Sequence, residues 1–412
     1  MPVFSGYLIA LVMLFFLIGD LLRGPVGRDS MIKTAVKSRL SGLSRAILIF
    51  FVCCIFSAAA AAILNSYVDQ RKIVDGLVSF FVKNILLWFI YLEFSWRMAS
   101  AKVRRVFSFA FALFAVINLS YCLFQRSLGW DWLQGFAGRL PDNRYSGGVY
   151  RVSGFMGHPL TLAYCQVLAV IAAMNFGRIS SWRWEKIAWH IGGLSCFAVI
   201  LISGSRGPQL VMAIALIMSI SAATYLNRWR QLLAILAMMS LVSIKFGFFA
   251  RFSEIFQSGF GGDQRVLHWT VFWNLFKDHV LFGVGPGGQQ AAISAYYSAQ
   301  GANANMRLAH NAFLQYAAEF GVLGLMGLLV WIAALVRFAY RLKIFNRAVW
   351  AMIAVMFLGA LTQNNLQDSE FVLAFTVWIL MVTTTEVEIC DVSAEGPTKP
   401  QNFIAGEGGS PS

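Results

Sequence analysis

Three arginines and one histidine are the residues of this chain whose types and positions could do chemistry. Arg151 precedes the stretch VSGFMGHP, Arg206 lies in SGSRGP, and Arg265 opens RVLHWTVFWNLF. His310 begins HNAFLQYAAEFGVLG, where a long apolar run starts. An arginine grips phosphate oxygens with a planar fork and stays charged, whereas an imidazole exchanges a proton near neutral pH. If the four side chains meet, they could bind a lipid diphosphate and take a proton from a hydroxyl group.

Each of these arginines also has an ordinary structural interpretation. A single arginine at a membrane edge commonly anchors a lipid head group or joins a loop salt bridge, and this is our interpretation of the other arginines in the outward loops (Arg126, Arg139, Arg144, Arg251 and Arg307). Arg206 differs because Gly204, Gly207 and Pro208 predict a tight reversal between two apolar runs. An arginine facing lipid there would cost roughly 2.5–3.5 kcal/mol. We therefore expect Arg206 to face a polar cavity or a partner.

The remaining histidines receive structural interpretations. His158 stands before Pro159 and could cap the next helix, and His190 lies inside an apolar run as a packed residue. His268 and His279 are expected as interfacial side chains on a surface helix. No His, Cys, Asp or Glu cluster has the spacing of metal ligands, and the outward loops contain no Asp-x-Asp. We therefore predict no catalytic metal and no cofactor.

The elements that must position these side chains are membrane-spanning helices. Of the 412 residues, 58% are hydrophobic and only 13% are charged, with a mean hydropathy of +0.66. A helix needs about 20 apolar residues to cross the hydrocarbon layer, so the sequence predicts an all-α, polytopic membrane domain over 1–386 with about 11 to 12 transmembrane helices. The predicted spans lie near 4–22, 46–64, 77–97, 106–124, 159–176, 187–203, 208–226, 230–248, 311–336, 348–362 and 371–386. A twelfth could lie within 23–45 or 187–226.

Lysine and arginine are concentrated in alternate loops, namely 23–45, 97–105, 177–186, 227–230 and 337–347. Cytoplasmic loops of membrane proteins carry this excess. The net charge of +14 therefore reflects topology and does not imply nucleic acid. The tail 387–412 is rich in Gly, Pro and acidic residues and is predicted to be disordered and cytoplasmic. The opposing loops are predicted to face outward (65–76, 125–158, 203–208, 249–310 and 363–370).

Two of the outward loops, 125–158 and 249–310, are too long to be simple connectors, and long ordered loops are commonly functional. In the second loop, apolar residues recur at helical spacing within DQRVLHWTVFWNLFKDH, which predicts a helix on the membrane surface. GVGPGG at 283–288 ends that helix, and QQAAISAYYSAQ can form a second short helix. The sequence thus places any chemistry on the outward side.

The stretch HNAFLQYAAEFGVLG resembles the signature of the O-antigen ligase and polymerase superfamily of bacterial envelope enzymes. The matching pattern is His310, Asn311, nine further residues, and then Gly321 and Gly324. Three other stretches resemble landmarks of the superfamily in the same order: RVSGFMGHP at 151–159, SGSRG at 203–207, and RVLHW…LFGVGPGG at 265–288. Together the motifs cover roughly residues 150–325.

The resemblance implies a GT-C-like, largely helical glycosyltransferase of the bacterial inner membrane, with its active site facing the periplasm. Such an enzyme transfers a polysaccharide from undecaprenyl diphosphate to a sugar hydroxyl of the lipid A-core, among membrane lipids and without nucleic acid. Arg206 and Arg265, assisted by Arg151, would neutralise the diphosphate, and His310 would accept the proton of the attacking hydroxyl. A direct, metal-independent displacement would invert the anomeric centre.

Supporting roles follow for the rest of the motif. Asn311 or Glu319 could orient His310, but Glu319 lies about 13 Å farther along an ideal helix, so a packing or polar-pair role suits it better. The Gly321–Gly324 pair would let a neighbouring helix approach closely and hold the His310 end of the span.

Two alternatives to the ligase remain at this point. An O-antigen polymerase would use the same donor with a lipid-linked glycan as acceptor, and the spacing of Asn311 and Gly-x-x-Gly favours the ligase over it. A transporter or flippase for lipid-linked glycans would be expected to carry ionisable residues at mid-membrane depth. The polar candidates here collect on one side of the membrane, which favours a one-sided enzyme.

Overall fold

The structure of the protein is a computed structural model, which describes residues 30–65, 71–78, 80, 101–136, 145–146, 149–219, 264–299, 308–341 and 347–394. Within these ranges the chain is almost entirely helical, which confirms the predicted all-α class. A two-residue antiparallel pair, β1 (Tyr145–Ser146) with β2 (Val149–Tyr150), is the exception. The helices are α1 (Ser30–Leu64), α2 (Ala101–Leu128), α3 (Trp132–Phe136), α4 (Pro159–Ile179), α5 (Arg183–Ile202), α6 (Arg206–Ser219), α7 (Gln264–Asp278), α8 (Gln289–Ala299), α9 (Ala312–Arg341), α10 (Arg347–Thr362) and α11 (Ser369–Ala394).

Five helices within the described ranges are long and apolar enough to cross a membrane, which confirms the polytopic class predicted from composition. Three shorter apolar helices coincide with predicted spans that begin near 208, 348 and 371. The predicted spans at 4–22 and 230–248, and most of 77–97, lie outside the described residues. The five long segments are Arg45–Leu64, Val103–Leu128, Pro159–Ile179, Arg183–Ile202 and Ala312–Tyr340.

Two helices extend beyond their predicted bounds. α1 begins at Ser30, inside a segment predicted as a basic loop, and α11 continues to Ala394, into the tail predicted to be disordered. A helix extends readily from an anchored span because each added residue gains a hydrogen bond without a new nucleation cost. The tail from residue 395 onward lies outside the described residues.

The main hydrophobic core surrounds α4, which is buried along almost its whole length. α4 packs against α5, α6, α10 and α11, and its apolar residues occur on every face, as is typical of a helix enclosed by others. Phe176 of α4 stacks on Trp189 of α5 with ring centroids 4.8 Å apart. α4 therefore gives rigid support to the loops at both of its ends.

α9 is interrupted at Gly321, whose φ of 62° and ψ of −163° lie outside the helical region. A break inside a membrane helix frees backbone groups that must find other partners within the protein. The segment 280–285 of the large loop supplies them through backbone hydrogen bonds. The donor–acceptor pairs are the Val284 N–H with the Ala318 carbonyl (3.0 Å), the Gly285 N–H with the Glu319 carbonyl (2.8 Å), and the Val322 N–H with the Val280 carbonyl (2.7 Å).

α1 secures the same break from the other side. The hydroxyl of Ser57 lies 2.5 Å from the carbonyl oxygen of Phe320 and 2.8 Å from that of Phe282, so it bridges α9 and the loop. The side-chain amide of Asn65 donates to the carbonyl of Gly283 at 3.0 Å. The broken helix, the loop and α1 are therefore joined at one point by hydrogen bonds.

The described part of the large loop forms an ordered layer with a small hydrophobic core of its own. Phe272 of α7 is buried in one cluster with Ile293 and Tyr297 of α8, and α7 also packs on α9. The two short helices predicted for this loop are confirmed. The other face of α7 exposes Trp269 and Trp273, which is typical of a helix that lies at a membrane interface.

Candidate active site

Arg206 is the first residue of α6 and follows a tight turn from α5. Ser203 ends α5 with its hydroxyl donating to the carbonyl of Ile200 at 2.8 Å, and Gly204 takes a left-handed φ of 67°. The backbone N–H of Ser205 then donates to the Ser203 hydroxyl at 3.2 Å. The reversal predicted at 203–208 is confirmed. Because hydrogen bonds fix the turn, the half-buried side chain of Arg206 extends from a defined backbone position.

Arg151 lies against the same turn. Its Nη2 donates to the hydroxyl of Ser205 at 3.1 Å, and its Cγ lies 3.7 Å from where a Cβ on Gly204 would be. Arg126 donates to the carbonyl of Tyr150 at 2.9 Å, directly before Arg151, and so holds the backbone that carries it. The structure therefore brings two of the three predicted arginines to one turn.

Arg265 approaches the same region from the large loop, at the first turn of α7. Its side chain is exposed and lies within electrostatic range of the hydroxyl of Tyr164 in α4. That hydroxyl oxygen lies 3.1 Å from where a Cβ on Gly207 would be, next to Arg206. Tyr164 of α4 therefore lies beside the turn before α6 and within electrostatic range of Arg265 on α7.

The end of α10 connects this arginine cluster, defined as Arg151, Arg206 and Arg265, to the histidine. The Tyr164 hydroxyl lies 2.7 Å from Oγ1 of Thr362. The next residue, Gln363, has its Oε1 atom 2.8 Å from Nδ1 of His310. Two adjacent residues, Thr362 and Gln363, thus contact Tyr164 and His310 respectively.

His310 lies two residues before the start of α9 and has a φ of 51°, the one positive φ among the described non-glycine residues. Such a conformation costs of order 1–3 kcal/mol and persists only when surrounding contacts enforce it. The N–H of Ala309 donates to Oε1 of Gln315 at 2.8 Å, and Oδ1 of Asn311 accepts from the N–H of Leu314 at 3.1 Å as a helix cap. Asn311 therefore fixes the start of the helix, while the imidazole ring is held by Gln363.

A second histidine, His268, lies beside His310. Their ring centroids are 6.2 Å apart, and Nδ1 of His268 lies 2.5 Å from the hydroxyl of Tyr297. The prediction that His268 is an interfacial side chain is wrong, because this face of α7 is buried against α8 and α9. Burial raises the pKa of Tyr297 to about 12, so the phenol is neutral at neutral pH. Helical spacing puts His268 on one face of α7 with three apolar residues (Val271, Phe272 and Leu275), and the structure shows that this is the buried face.

The loop 363–370, which was predicted only as an outward loop, supplies polar side chains to the candidate site. Its side chains reach α4, the start of α9 and the segment before α4. The density of polar residues in QNNLQDSE, between two apolar helices, is the signal that could have identified it. The contacts are Gln363 with His310, Asn364 with Gln315 (3.1 Å), Gln367 with Glu319 (2.6 Å), Asp368 with Thr161, and Glu370 with the N–H of Gly157 (3.1 Å).

Glu319 is buried one helical turn after Gln315 and makes polar pairs. Its Oε1 accepts from Nε2 of Gln315 and its Oε2 from Nε2 of Gln367, each at 2.6 Å. This agrees with the predicted polar-pair role rather than with direct orientation of His310. The buried carboxylate instead ties α9 to the loop 363–370, just before the break at Gly321.

The glycine pair has a different packing role from the predicted one. A Cβ on Gly321 would lie 2.4 Å from the carbonyl carbon of Leu281, so the segment that approaches closely is the large loop and not a neighbouring helix. A Cβ on Gly324 would lie 2.1 Å from Cβ of Phe320, in the preceding turn of α9 itself. The expected helix–helix contact at this pair is therefore wrong, because the helix breaks there to admit the loop.

The other histidines have local roles. Nδ1 of His158 accepts from the N–H of Leu160 at 3.2 Å, which confirms the predicted cap of α4. His190 is exposed on α5, with Nδ1 2.6 Å from the carbonyl of Lys186, so the prediction of a packed side chain is wrong. Burial lowers the pKa of His279, which lies just after α7.

The described residues contain no group of three or more His, Cys, Asp or Glu side chains close enough to hold a metal ion. The candidate site contains Arg151 on the hydroxyl of Ser205, directly before Arg206, and Thr362 on the hydroxyl of Tyr164. The residue after Thr362, Gln363, contacts the imidazole of His310. Guanidinium groups can neutralise an anionic leaving group, and the imidazole can accept a proton from a neutral nucleophile.

Residues 191–329 match a protein-family model described as O-antigen ligase (Wzy_C). The matched region contains Arg206, Arg265 and His310, whereas Arg151 and Gln363 lie outside it. No curated protein matches the chain.

Proposed function

We propose that the chain is an O-antigen ligase, and the match of residues 191–329 to the O-antigen ligase family model supports this proposal. It transfers a polysaccharide from undecaprenyl diphosphate to a sugar hydroxyl of the lipid A-core. The reaction takes place at the periplasmic face of the bacterial inner membrane, where α4, α6 and α9 begin. The observation that carries the proposal is the pair of adjacent residues at the end of α10: Thr362 contacts Tyr164, which lies beside the turn of Arg206, and Gln363 contacts His310.

The arginine cluster binds the diphosphate of the donor. Arg206 and Arg265 neutralise the charge that develops on the leaving diphosphate, and Arg151 assists from its place on Ser205. The first N–H groups of α6 add partial positive charge beside Arg206.

His310 acts as the general base. The acceptor hydroxyl attacks the anomeric carbon of the donor sugar, and its proton passes to the imidazole. The bond between that carbon and the phosphate oxygen breaks, and its electron pair stays on that oxygen of the departing lipid diphosphate. A single displacement of this kind inverts the anomeric centre. The energy for transfer resides in the sugar–diphosphate bond, so neither a nucleotide nor a metal is required.

The reaction can be tested with the purified full-length chain in detergent. It is incubated with polyprenyl-diphosphate-linked oligosaccharide and lipid A-core, in EDTA and without nucleotide. We expect glycan on lipid A. Longer chains on the carrier lipid would instead show a polymerase, and lipid movement across a liposome membrane without any product would show a transporter.

His310→Ala is expected to lower the rate of product formation by at least about 100-fold, because the proton acceptor is lost. Binding of the lipid diphosphate, measured by its protection against thermal unfolding, should be retained. His190→Ala is the matched control, since this histidine contacts the backbone of its own helix on α5. A His310→Ala variant with the turnover of the wild type would contradict the assignment of the base.

A further inference from the structure

We infer that Gln363 is a positioning residue for His310, which fixes the imidazole as the tautomer whose Nε2 atom accepts the proton. This inference rests on the proposed function and adds to it a residue outside the region matched by the family. It starts from one contact, the 2.8 Å distance between Nδ1 of His310 and Oε1 of Gln363.

The chemistry of this contact selects one tautomer. An amide oxygen can only accept a hydrogen bond, so the ring nitrogen that faces it must carry the hydrogen. A neutral imidazole carries a single N–H, so its hydrogen resides on Nδ1 and the lone pair on Nε2. Gln363 thereby determines which nitrogen of His310 can act as the base.

Gln363 can impose this geometry because the residue before His310 and the residue after Gln363 both contact the side chain of Gln315. Oε1 of Gln315 accepts from the N–H of Ala309 at 2.8 Å, and Ala309 directly precedes His310. The same atom lies 3.1 Å from Nδ2 of Asn364, which directly follows Gln363. The chain therefore closes a ring of hydrogen bonds that runs from the imidazole through Gln363 and Asn364 to Gln315 and back to the histidine backbone.

Two further observations support a positioning role. Gln363 is buried, and its backbone N–H donates to the carbonyl of Gly359 at 2.8 Å, so the side chain starts from a fixed helix end. The left-handed backbone of His310 is the kind of local strain that concentrates at functional sites. An imidazole that served only to fill space would not require hydrogen bonds at the ring and at both neighbouring residues.

A neutral amide at position 363 also suits a base that works near neutral pH. A carboxylate there would stabilise the imidazolium and so raise the pKa of the histidine, leaving less of the free base. Among the described residues, the titratable groups on the elements around His310 include His268 and Arg265 on α7, Tyr297 on α8, Tyr164 on α4, Arg206 on α6, Tyr316 and Glu319 on α9, and Asp368 and Glu370 in the loop 363–370. These groups are unchanged when position 363 alone is substituted, so a shift in the pH profile reports on that position.

The test compares Gln363→Met with Gln363→Glu in the glycan-transfer assay over a range of pH. Gln363→Met removes the acceptor and should lower kcat by about 10- to 100-fold, with KM for both lipids nearly unchanged. Gln363→Glu keeps an acceptor of the same shape and should restore part of that loss. It should also move the acid limb of the pH–rate profile upward by about one pH unit, because the base must lose its proton before it can act.

Gln367→Met is the matched control, because it removes a glutamine hydrogen bond from the same loop but one that goes to Glu319. It should leave the acid limb at the wild-type pH. The inference is overturned if Gln363→Met keeps the wild-type kcat, or if the acid limb stays in place in Gln363→Glu. An inactive wild type would refute the proposed function itself, whereas an active wild type with an inactive His310→Ala and unchanged Gln363 variants would refute this inference alone.

Discussion

At the scale of single residues, the candidate site depends on side chains whose positions are fixed by their neighbours. Arg151 is held by Ser205, and Arg206 follows a hydrogen-bonded turn. His310 is held by Gln363 at the ring and by Gln315 at the preceding backbone. Fixed positions matter because an anion-binding or proton-accepting group is effective only when its geometry is set before the substrate arrives.

Arg206→Ala is expected to lower kcat/KM for the lipid-linked donor by roughly 100-fold, because the leaving diphosphate loses one of its charged donors. Arg206→Lys keeps the charge without the planar fork, so its loss should be smaller, about tenfold. Steady-state transfer rates measure both effects. The control is Arg183→Ala, an exposed arginine at the start of α5, at the opposite end of the helix from this turn. An Arg206→Ala enzyme within twofold of the wild type would remove Arg206 from the site.

At the scale of elements, the break in α9 attaches the large loop to the helix that begins beside His310. Glu319 lies just before the break, and the segment 280–285 runs across it with backbone hydrogen bonds. The break exposes backbone groups in the membrane domain, and this loop together with Ser57 of α1 satisfies them. The loop that carries Arg265 and His268 is attached to the same helix that His310 precedes.

Gly321→Ala should disrupt this attachment. A side chain at φ 62° and ψ −163° is in a region that is essentially restricted to glycine, and the new Cβ would lie 2.4 Å from the carbonyl carbon of Leu281. We expect a loss of at least about 3 kcal/mol in stability, measured as a lower midpoint of thermal unfolding in detergent. Leu329→Ala, on an exposed face of the same helix, should have little effect. Equal midpoints for the two variants would mean that the loop does not need the break.

At the scale of the whole molecule, several elements begin or end at one end of the helical bundle. α4, α6 and α9 begin there, α10 ends there, and the loop 363–370 connects their polar groups. The opposite end of α4 leads through Ser180 into α5. The polar groups of the candidate site thus lie at one end of the bundle. The loop charges predict that this end faces the periplasm.

The orientation can be measured by labelling single introduced cysteines in intact cells with a membrane-impermeant maleimide. Thr270→Cys, on the exposed part of α7, should react without permeabilisation, whereas Ser181→Cys, in the turn between α4 and α5, should react only after it. The wild type is the background control, since the described cysteines are buried or partly buried. The reverse pattern of labelling would place the candidate site in the cytoplasm.

The sequence by itself determined the properties that depend on composition and local pattern. Apolar content and span length are local quantities, so they predicted the all-α membrane class and the helices around residues 46–64, 159–176 and 187–203. Turn chemistry predicted the reversal before Arg206, and helical spacing together with GVGPGG predicted two short helices in the large loop. The candidate residues Arg206, Arg265 and His310 were named because each stands at the edge of an apolar run.

Only the tertiary structure decided which distant residues become neighbours. Gln363 was overlooked because a polar residue in a short loop has no pattern that identifies its partner 53 positions away. His268 was misplaced because a helix with apolar residues on two faces does not indicate which face is buried. Gly321 was assigned to a helix–helix contact because spacing alone does not distinguish close packing from a break. Contacts of this kind depend on how whole elements pack together, and that packing is not encoded in any short stretch of the chain.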